Sequence, residues 1–356
     1  MAIYLGTVYG LSLWAAGWRG AVEALGAHPE IPGFTRTVLD ALGALTGTSL
    51  LAHAMVAVPL IYACMLAIFH VTRLLVKGPI WLGSLAGTSF MAHPVKTEAL
   101  FEANGVYYLA AALMALLSVF AYLRVIERPS PARIAAALAI FALAAFPFAI
   151  NAPLFGVLLL LEFYPARPES RNWLRLAPFL AVATLANGLH IEAVYSTLPS
   201  PVAMAAPLIL LIYPIGLLPE TVAHLHAHPM IAWSWGLFAL ALAIIAFACV
   251  KNGPFRLCLL AILAFRFFPG AEPIDYTTLA GGAQLLIPLA LACIGLAGFS
   301  RWLMRFEPWG APVVALTTML CVVLFVLQII AHRDWPHLRD AQLPSVERPA
   351  ANGSAL

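Results

Sequence analysis

The stretch HPVKTEALFEANGVYY, residues 93–108, gathers Lys96, Glu98, Glu102 and Asn104 in a chain whose surrounding text is apolar. One apolar segment closes just before it at Met91, and the next opens at Gly105. Two apolar runs joined by a short polar link form the pattern of two membrane helices and the loop between them. Read outward from this link, the same alternation repeats along the chain, and candidate chemistry is sought first at the link itself.

Of the 356 residues, 63% are hydrophobic and 10% charged, and the mean hydropathy is +0.93. Soluble domains carry about 25% charged residues, so this composition predicts an all-α, polytopic membrane helical bundle with no room for a sizeable soluble domain. The net charge of +3 comes with arginines grouped between apolar runs. That grouping is the positive-inside pattern and gives no reason to expect nucleic acid as a partner. Cys64, Cys249, Cys258, Cys293 and Cys321 all lie within apolar blocks and lack CxxC spacing, which predicts buried small hydrophobes rather than disulfides or metal ligands.

The N-terminus shows no signal-peptide arrangement, so residues 1–18 are expected to be a retained first span. Further spans are expected at 50–75, 79–91, 105–123, 134–150, 153–164, 176–190, 230–250, 255–268, 283–299 and 311–331. Residues 202–218, preceded by Pro199 and Pro201 and containing Pro207, are expected to cross only partly or lie in plane, because proline removes a helix hydrogen bond that lipid cannot replace. The count is then about 11 spans, with the N-terminus cytoplasmic and the C-terminus external. Residues 1–331 form the bundle on this reading, and residues 332–356 a polar external tail that alone would be disordered.

From His93 onward, HPVKTEALFEANGVYYLAAALMALLSVFAYL resembles the signature of multispanning GT-C glycosyltransferases similar to the transmembrane and tetratricopeptide-repeat protein O-mannosyltransferases. Their usual form is a His-Pro pair, a Thr-Glu pair, then Gly-Arg and an acidic residue opening the next helix. FTRTVLDALGALTGTSLLAHAMVAVPLIYACMLAIFHVTRLL before it and FALAAFPFAINAPLFGVLLLLEF after it continue the resemblance. So do PLILLIYPIGLLPE and FRLCLLAILAFRFFPGAEPIDYTTLAGGAQLLIP. Together these cover about residues 34–331 in the family's order, without the repeats.

The resemblance implies a GT-C-like fold and transfer of a sugar from a polyprenyl-phosphate carrier on the external side. That chemistry needs a carboxylate base for the acceptor and cationic or metal help for the departing phosphate. Those groups are where the chain departs from the pattern. The first external loop has only the isolated Glu23 and Glu30. Asn104-Gly105-Val106-Tyr107-Tyr108 stands where Gly-Arg and an acidic residue are expected. Phe146-Pro147-Phe148 replaces a Ser-Lys-Glu element, and Gly282-Ala283-Gln284 a Glu-His-Arg element. His93, Pro94, Thr97, Glu98, Pro153, Pro214 and Pro269 remain.

A charge at a helix centre costs roughly 2.5–3.5 kcal/mol on insertion scales and persists where function requires it. Loss of the charges with retention of the prolines therefore predicts a non-catalytic member of the fold, an accessory subunit of a larger membrane complex in a bacterial inner membrane. Its expected partners are other membrane subunits, reached in part through the C-terminal tail, and lipids. The alternative is an active polyprenyl-phosphate-sugar-dependent transferase, for which Glu30, Glu98 and His93 are the candidate catalytic residues. Each has a structural reading beside it: Glu30 as a solvated loop carboxylate, Glu98 paired with Lys96 or capping the next helix, and His93 ending a helix before Pro94.

His224, His226 and His228 in HLHAHP invite a metal reading. No carboxylate or cysteine completes a site beside them, and their spacing does not suit one helical face, so no metal is expected. His53, His70 and His190 could hold haem or a pigment, with buried hydrogen-bonded histidines as the expectation against it, and no cofactor is assigned. Gly83, Gly87, Ala292, Gly295 and Gly298 are expected to permit close helix packing.

Overall fold

The computed structural model describes residues 50–94, 105–148, 150–163, 173–190, 229–267, 286–306 and 310–342, and within them the chain is helical without strands. In order, the helices are α1 (Leu50–Val76), α2 (Ile80–Ala92), α3 (Gly105–Glu127), α4 (Pro131–Phe148), α5 (Asn151–Phe163), a 3-10 turn Trp173–Leu176, α6 (Ala177–His190), α7 (Pro229–Cys249), α8 (Gly253–Phe267), α9 (Leu286–Leu303) and α10 (Gly310–Gln342). Among the described residues, five stretches are long and apolar enough to cross a membrane: Met55–Val76, Gly105–Glu127, Pro131–Phe148, Leu286–Leu303 and Gly310–Gln328. The all-helical membrane class expected from composition is thus present. The expected spans at 1–18 and the doubtful segment at 202–218 lie outside the described residues.

Local chemistry sets the helix ends. After α1, Lys77 takes a left-handed φ of 48° while its N–H returns to the Arg73 carbonyl at 3.3 Å. This is the helix-terminating conformation usually given to glycine. Pro79 then opens α2. At the start of α8, Asn252 is buried and accepts the Phe255 N–H through Oδ1 at 3.1 Å, so its side chain supplies the acceptor that the first turn of a helix lacks.

The contacts fix which helices run together. Cys64 Sγ reaches the Leu109 carbonyl at 3.6 Å, and further along both helices His70 meets the Phe120 ring at 6.1 Å, so α1 and α3 are parallel. A Cβ on Gly295 would meet Cys258 and one on Gly298 would meet Phe255 and Asn252, which makes α8 and α9 antiparallel. Gly78, just before α2, lies beside Arg301 near the end of α9, and Ser89 on α2 lies 3.4 Å from Cys321 on α10. Helices α2 and α10 therefore run in the same direction.

These directions collect Arg73, Lys77, Arg124, Arg128, Arg133, Arg175, Lys251, Arg256, Arg301 and Arg305 at one end of the bundle. His93, Gly105 and Phe148 lie at the other. Arg266 in the last turn of α8, and Arg333 and Arg339 beyond the span of α10, are placed toward the His93 end.

The core lies along α3 and α9, whose spans are 56% and 61% buried, whereas the α10 span is only 11% buried and lies at the periphery. Ile61, Ile68, Leu82, Phe90, Leu109, Phe141, Leu154 and Ala290 belong to one continuous apolar cluster. Small residues permit the tight seams: a Cβ on Gly83 would come within 2.8 Å of the Phe69 ring, and one on Gly87 within 3.0 Å of Met65. In lipid, such close approach supplies the dispersion contact that holds helices together.

Helix α10 does not stop where the apolar text does. It continues from the span at Gly310–Gln328 to Gln342, so the first part of the expected polar tail, residues 332–342, is helical. A helix already under way needs no new nucleus, and each added residue gains one backbone bond. Residues 343–356 lie outside the described residues.

Candidate functional site

The His93 end begins with a helix that stops. His93 leaves the helical region at φ −77° and ψ 129°, and its N–H reaches the Phe90 carbonyl at 3.4 Å. Pro94 follows, and the residue before a proline is steered to extended backbone. The imidazole of His93 is then turned into the protein, with 3% of the residue exposed. One turn earlier, the hydroxyl of Ser89 is buried against the Cys321 thiol. Gln328, two turns beyond Cys321 on the parallel α10, is fully buried. With Thr317, one turn before Cys321, four buried polar residues thus belong to the α2–α10 pair, and Ser89, His93 and Gln328 lie toward its His93 end.

The two stretches where the resemblance expects charge meet each other at this end. Val106 is buried. The Tyr107 ring stands 5.1 Å from that of Phe148, and its hydroxyl donates to the Pro147 carbonyl at 3.2 Å. That carbonyl belongs to the last turn of α4, where a helix has no donors of its own. Residues 105–108 and 146–148 therefore form an aromatic, apolar seam between the start of α3 and the end of α4.

Of the sequence-derived catalytic and metal candidates, the structure describes only His93. Glu30, Glu98, Lys96, His224, His226 and His228 lie outside the described residues. Among the described residues, no group of three or more His, Cys, Asp or Glu side chains could hold a metal ion. His70 is exposed, with its ring against Phe69 and Phe120.

A second polar assembly, absent from the sequence reading, lies at the basic end. The hydroxyl of Tyr122, on α3, donates to Glu162 Oε1, on α5, at 2.6 Å, and both residues are buried. Arg175, in the 3-10 turn before α6, acts electrostatically on the same hydroxyl, and its Nη1 is enclosed with no hydrogen-bond partner. Phe179, one turn on, packs edge-on against Tyr122 at 5.3 Å and against Phe141 at 5.5 Å. The signal available in sequence was the single carboxylate in LLLLEF. Nothing there connects Glu162 with a tyrosine forty residues earlier, and Arg175 reads as an ordinary loop cation.

Chemically, the buried and half-buried side chains around His93 offer an imidazole, a hydroxyl, a thiol and an amide, while Asp334 and Asp340 accompany Arg333 and Arg339 on the extension of α10 beyond its span. The first four groups can hydrogen-bond a polar partner. Comparison with protein-family models, with curated proteins and with solved structures returns no match for this chain.

Proposed function

We propose that this chain is a GT-C-like integral membrane protein that no longer transfers sugar and serves as a structural or accessory subunit of a membrane protein assembly. The observation that carries the reading is the aromatic seam. The two stretches that resemble charged motifs of the glycosyltransferases are here occupied by Val106, Tyr107, Pro147 and Phe148, which pack on one another through an aromatic contact and a hydrogen bond to backbone. A seam filled in this way leaves no space for a guanidinium and a carboxylate to face a phosphate. On this reading the full bundle has about 11 spans, the basic end is cytoplasmic by the positive-inside pattern, and the His93 end faces the periplasm.

The test is extraction in mild detergent followed by native mass spectrometry and assay of the purified chain with a polyprenyl-phosphate-linked sugar. The expected result is a stoichiometric complex with other membrane proteins and no transfer above background. Transfer that is abolished by Glu30→Gln or Glu98→Gln would establish the enzyme instead. Recovery as a monomer alone would remove the subunit assignment.

A further inference from the structure

The Tyr122–Glu162–Arg175 assembly has no part in the proposed function and lies at the end of the bundle opposite the sugar-transfer signature. It nevertheless places the Glu162 carboxyl in the apolar interior, where a charge is costly alone, and encloses Nη1 of the half-buried Arg175 beside it. Four elements converge on it. Tyr122 comes from α3 and Glu162 from α5, while Arg175 and Phe179 are one turn apart at the entry to α6. Phe141 closes the aromatic side from α4.

The Glu162 carboxylate is fixed by the short hydrogen bond from Tyr122, and Tyr122 is held in turn by the Phe179 ring. Arg175 differs from Arg124 and Arg133 at this end, and from Arg256, whose enclosed Nε is accompanied by a hydrogen bond to the Ala248 carbonyl and a stack on Phe247. Arg124 pairs with Glu127 at the surface at 3.2 Å, and Arg133 donates outward to the Arg128 carbonyl. Arg175 instead has Nη1 enclosed in the protein without a hydrogen-bond partner, one turn before the Phe179 ring that packs on Tyr122.

We propose that these three residues form an interior charge latch that seats the entry to α6 against α3 and α5. Glu162 is the counter-charge that admits Arg175 to the bundle, and Tyr122 positions the carboxylate to receive it. Seating of the 3-10 turn Trp173–Leu176 is then coupled to the charge of a residue on another helix. An apolar junction would show no such coupling.

The physical signature is the sign of the coupling. Removing one member leaves an uncompensated buried charge, whereas removing both leaves neutral groups that the interior tolerates. Hydrogen–deuterium exchange of the amides at 173–180, measured on the full chain in nanodiscs, reads it. Glu162→Gln and Arg175→Gln are each expected to speed exchange there by tenfold or more, and Tyr122→Phe by several-fold, with Leu286–Leu303 unchanged as internal reference. The double variant Glu162→Gln/Arg175→Gln is expected to exchange more slowly than either single. Singles that exchange as the parent does, or a double as fast as the product of the two single effects, would overturn the latch. If Glu162→Gln fails to fold, recovery of a folded chain in the double variant carries the same support, and its failure to fold the opposite.

Discussion

At the scale of single residues, Tyr107 shows how an apolar seam can stand in a place where charge is expected. Its ring packs on Phe148, and its hydroxyl serves the Pro147 carbonyl, which the helix leaves unpaired. Tyr107→Phe keeps the ring and loses only the bond, a net cost of about 1 kcal/mol. Tyr107→Ala also removes the half-buried ring and should cost about 2–3 kcal/mol, toward the low end for truncating a large aromatic. Thermal unfolding in detergent should therefore rank parent, Phe and Ala in descending order. Equal midpoints for parent and Phe would show that the hydroxyl contributes nothing. Residue-level chemistry was only partly legible in the sequence. Tyr107 and Tyr108 could be seen as replacements, because a motif supplied the contrast. Tyr122, Glu162 and Arg175 had no such contrast: each is ordinary in its own segment, and only three-dimensional proximity makes them a group.

At the scale of helices, the seams depend on residues too small to keep two backbones apart. A Cβ added at Gly298 would lie 3.2 Å from the Phe255 nitrogen and 3.3 Å from Asn252 Oδ1. Neither can retreat, because the two are bonded to each other at the start of α8. Gly298→Ala should therefore destabilise the α8–α9 pair by about 1–3 kcal/mol, the usual range for overpacking. Gly310, with nothing within 4 Å, is the matched control, and Gly310→Ala should leave the unfolding midpoint unchanged or raise it slightly, since alanine is the better helix former. A Gly298→Ala variant as stable as the Gly310→Ala control would mean that the seam has room to spare. The spacing of Gly83, Gly87, Gly295 and Gly298 was visible in the sequence, but their partners were not, and the helices themselves were legible from apolar blocks alone. Their ends were less so. Helix α3 runs past the apolar block through Arg124 to Glu127 because the two charges pair along the helix, and α10 runs to Gln342. Hydropathy marks where a chain leaves lipid, and a helix stops only where backbone bonding stops.

At the scale of the molecule, direction is the property that joins fold to function. Loop charge in the sequence assigned one set of helix ends to one side, and helix contacts derived without reference to charge place those ends together: Gly78 beside Arg301, Arg124 with Arg73 on parallel helices, and Asn252 against Gly298. Which side of the membrane that end faces depends on the positive-inside pattern. Helix α1 offers the measurement, since Met55 near its start is 70% exposed and Lys77 just past its end is exposed. In a background with Cys249→Ala and Cys321→Ala, which removes the native thiols that are not buried, Met55→Cys and Lys77→Cys place one probe at each end. An impermeant maleimide applied to intact spheroplasts should label Met55→Cys and spare Lys77→Cys, and inverted vesicles should give the reverse. The span Met55–Val76 is about 33 Å long at 1.5 Å per residue, enough to separate the two probes by a bilayer core. Labelling of both from one side would show that α1 does not cross, and the reversed pattern would place the His93 end in the cytoplasm. In that case an externally facing lipid-linked sugar could not reach His93 or the Tyr107–Phe148 seam, and the likeness to external sugar transfer would lose its bearing on that end of the bundle.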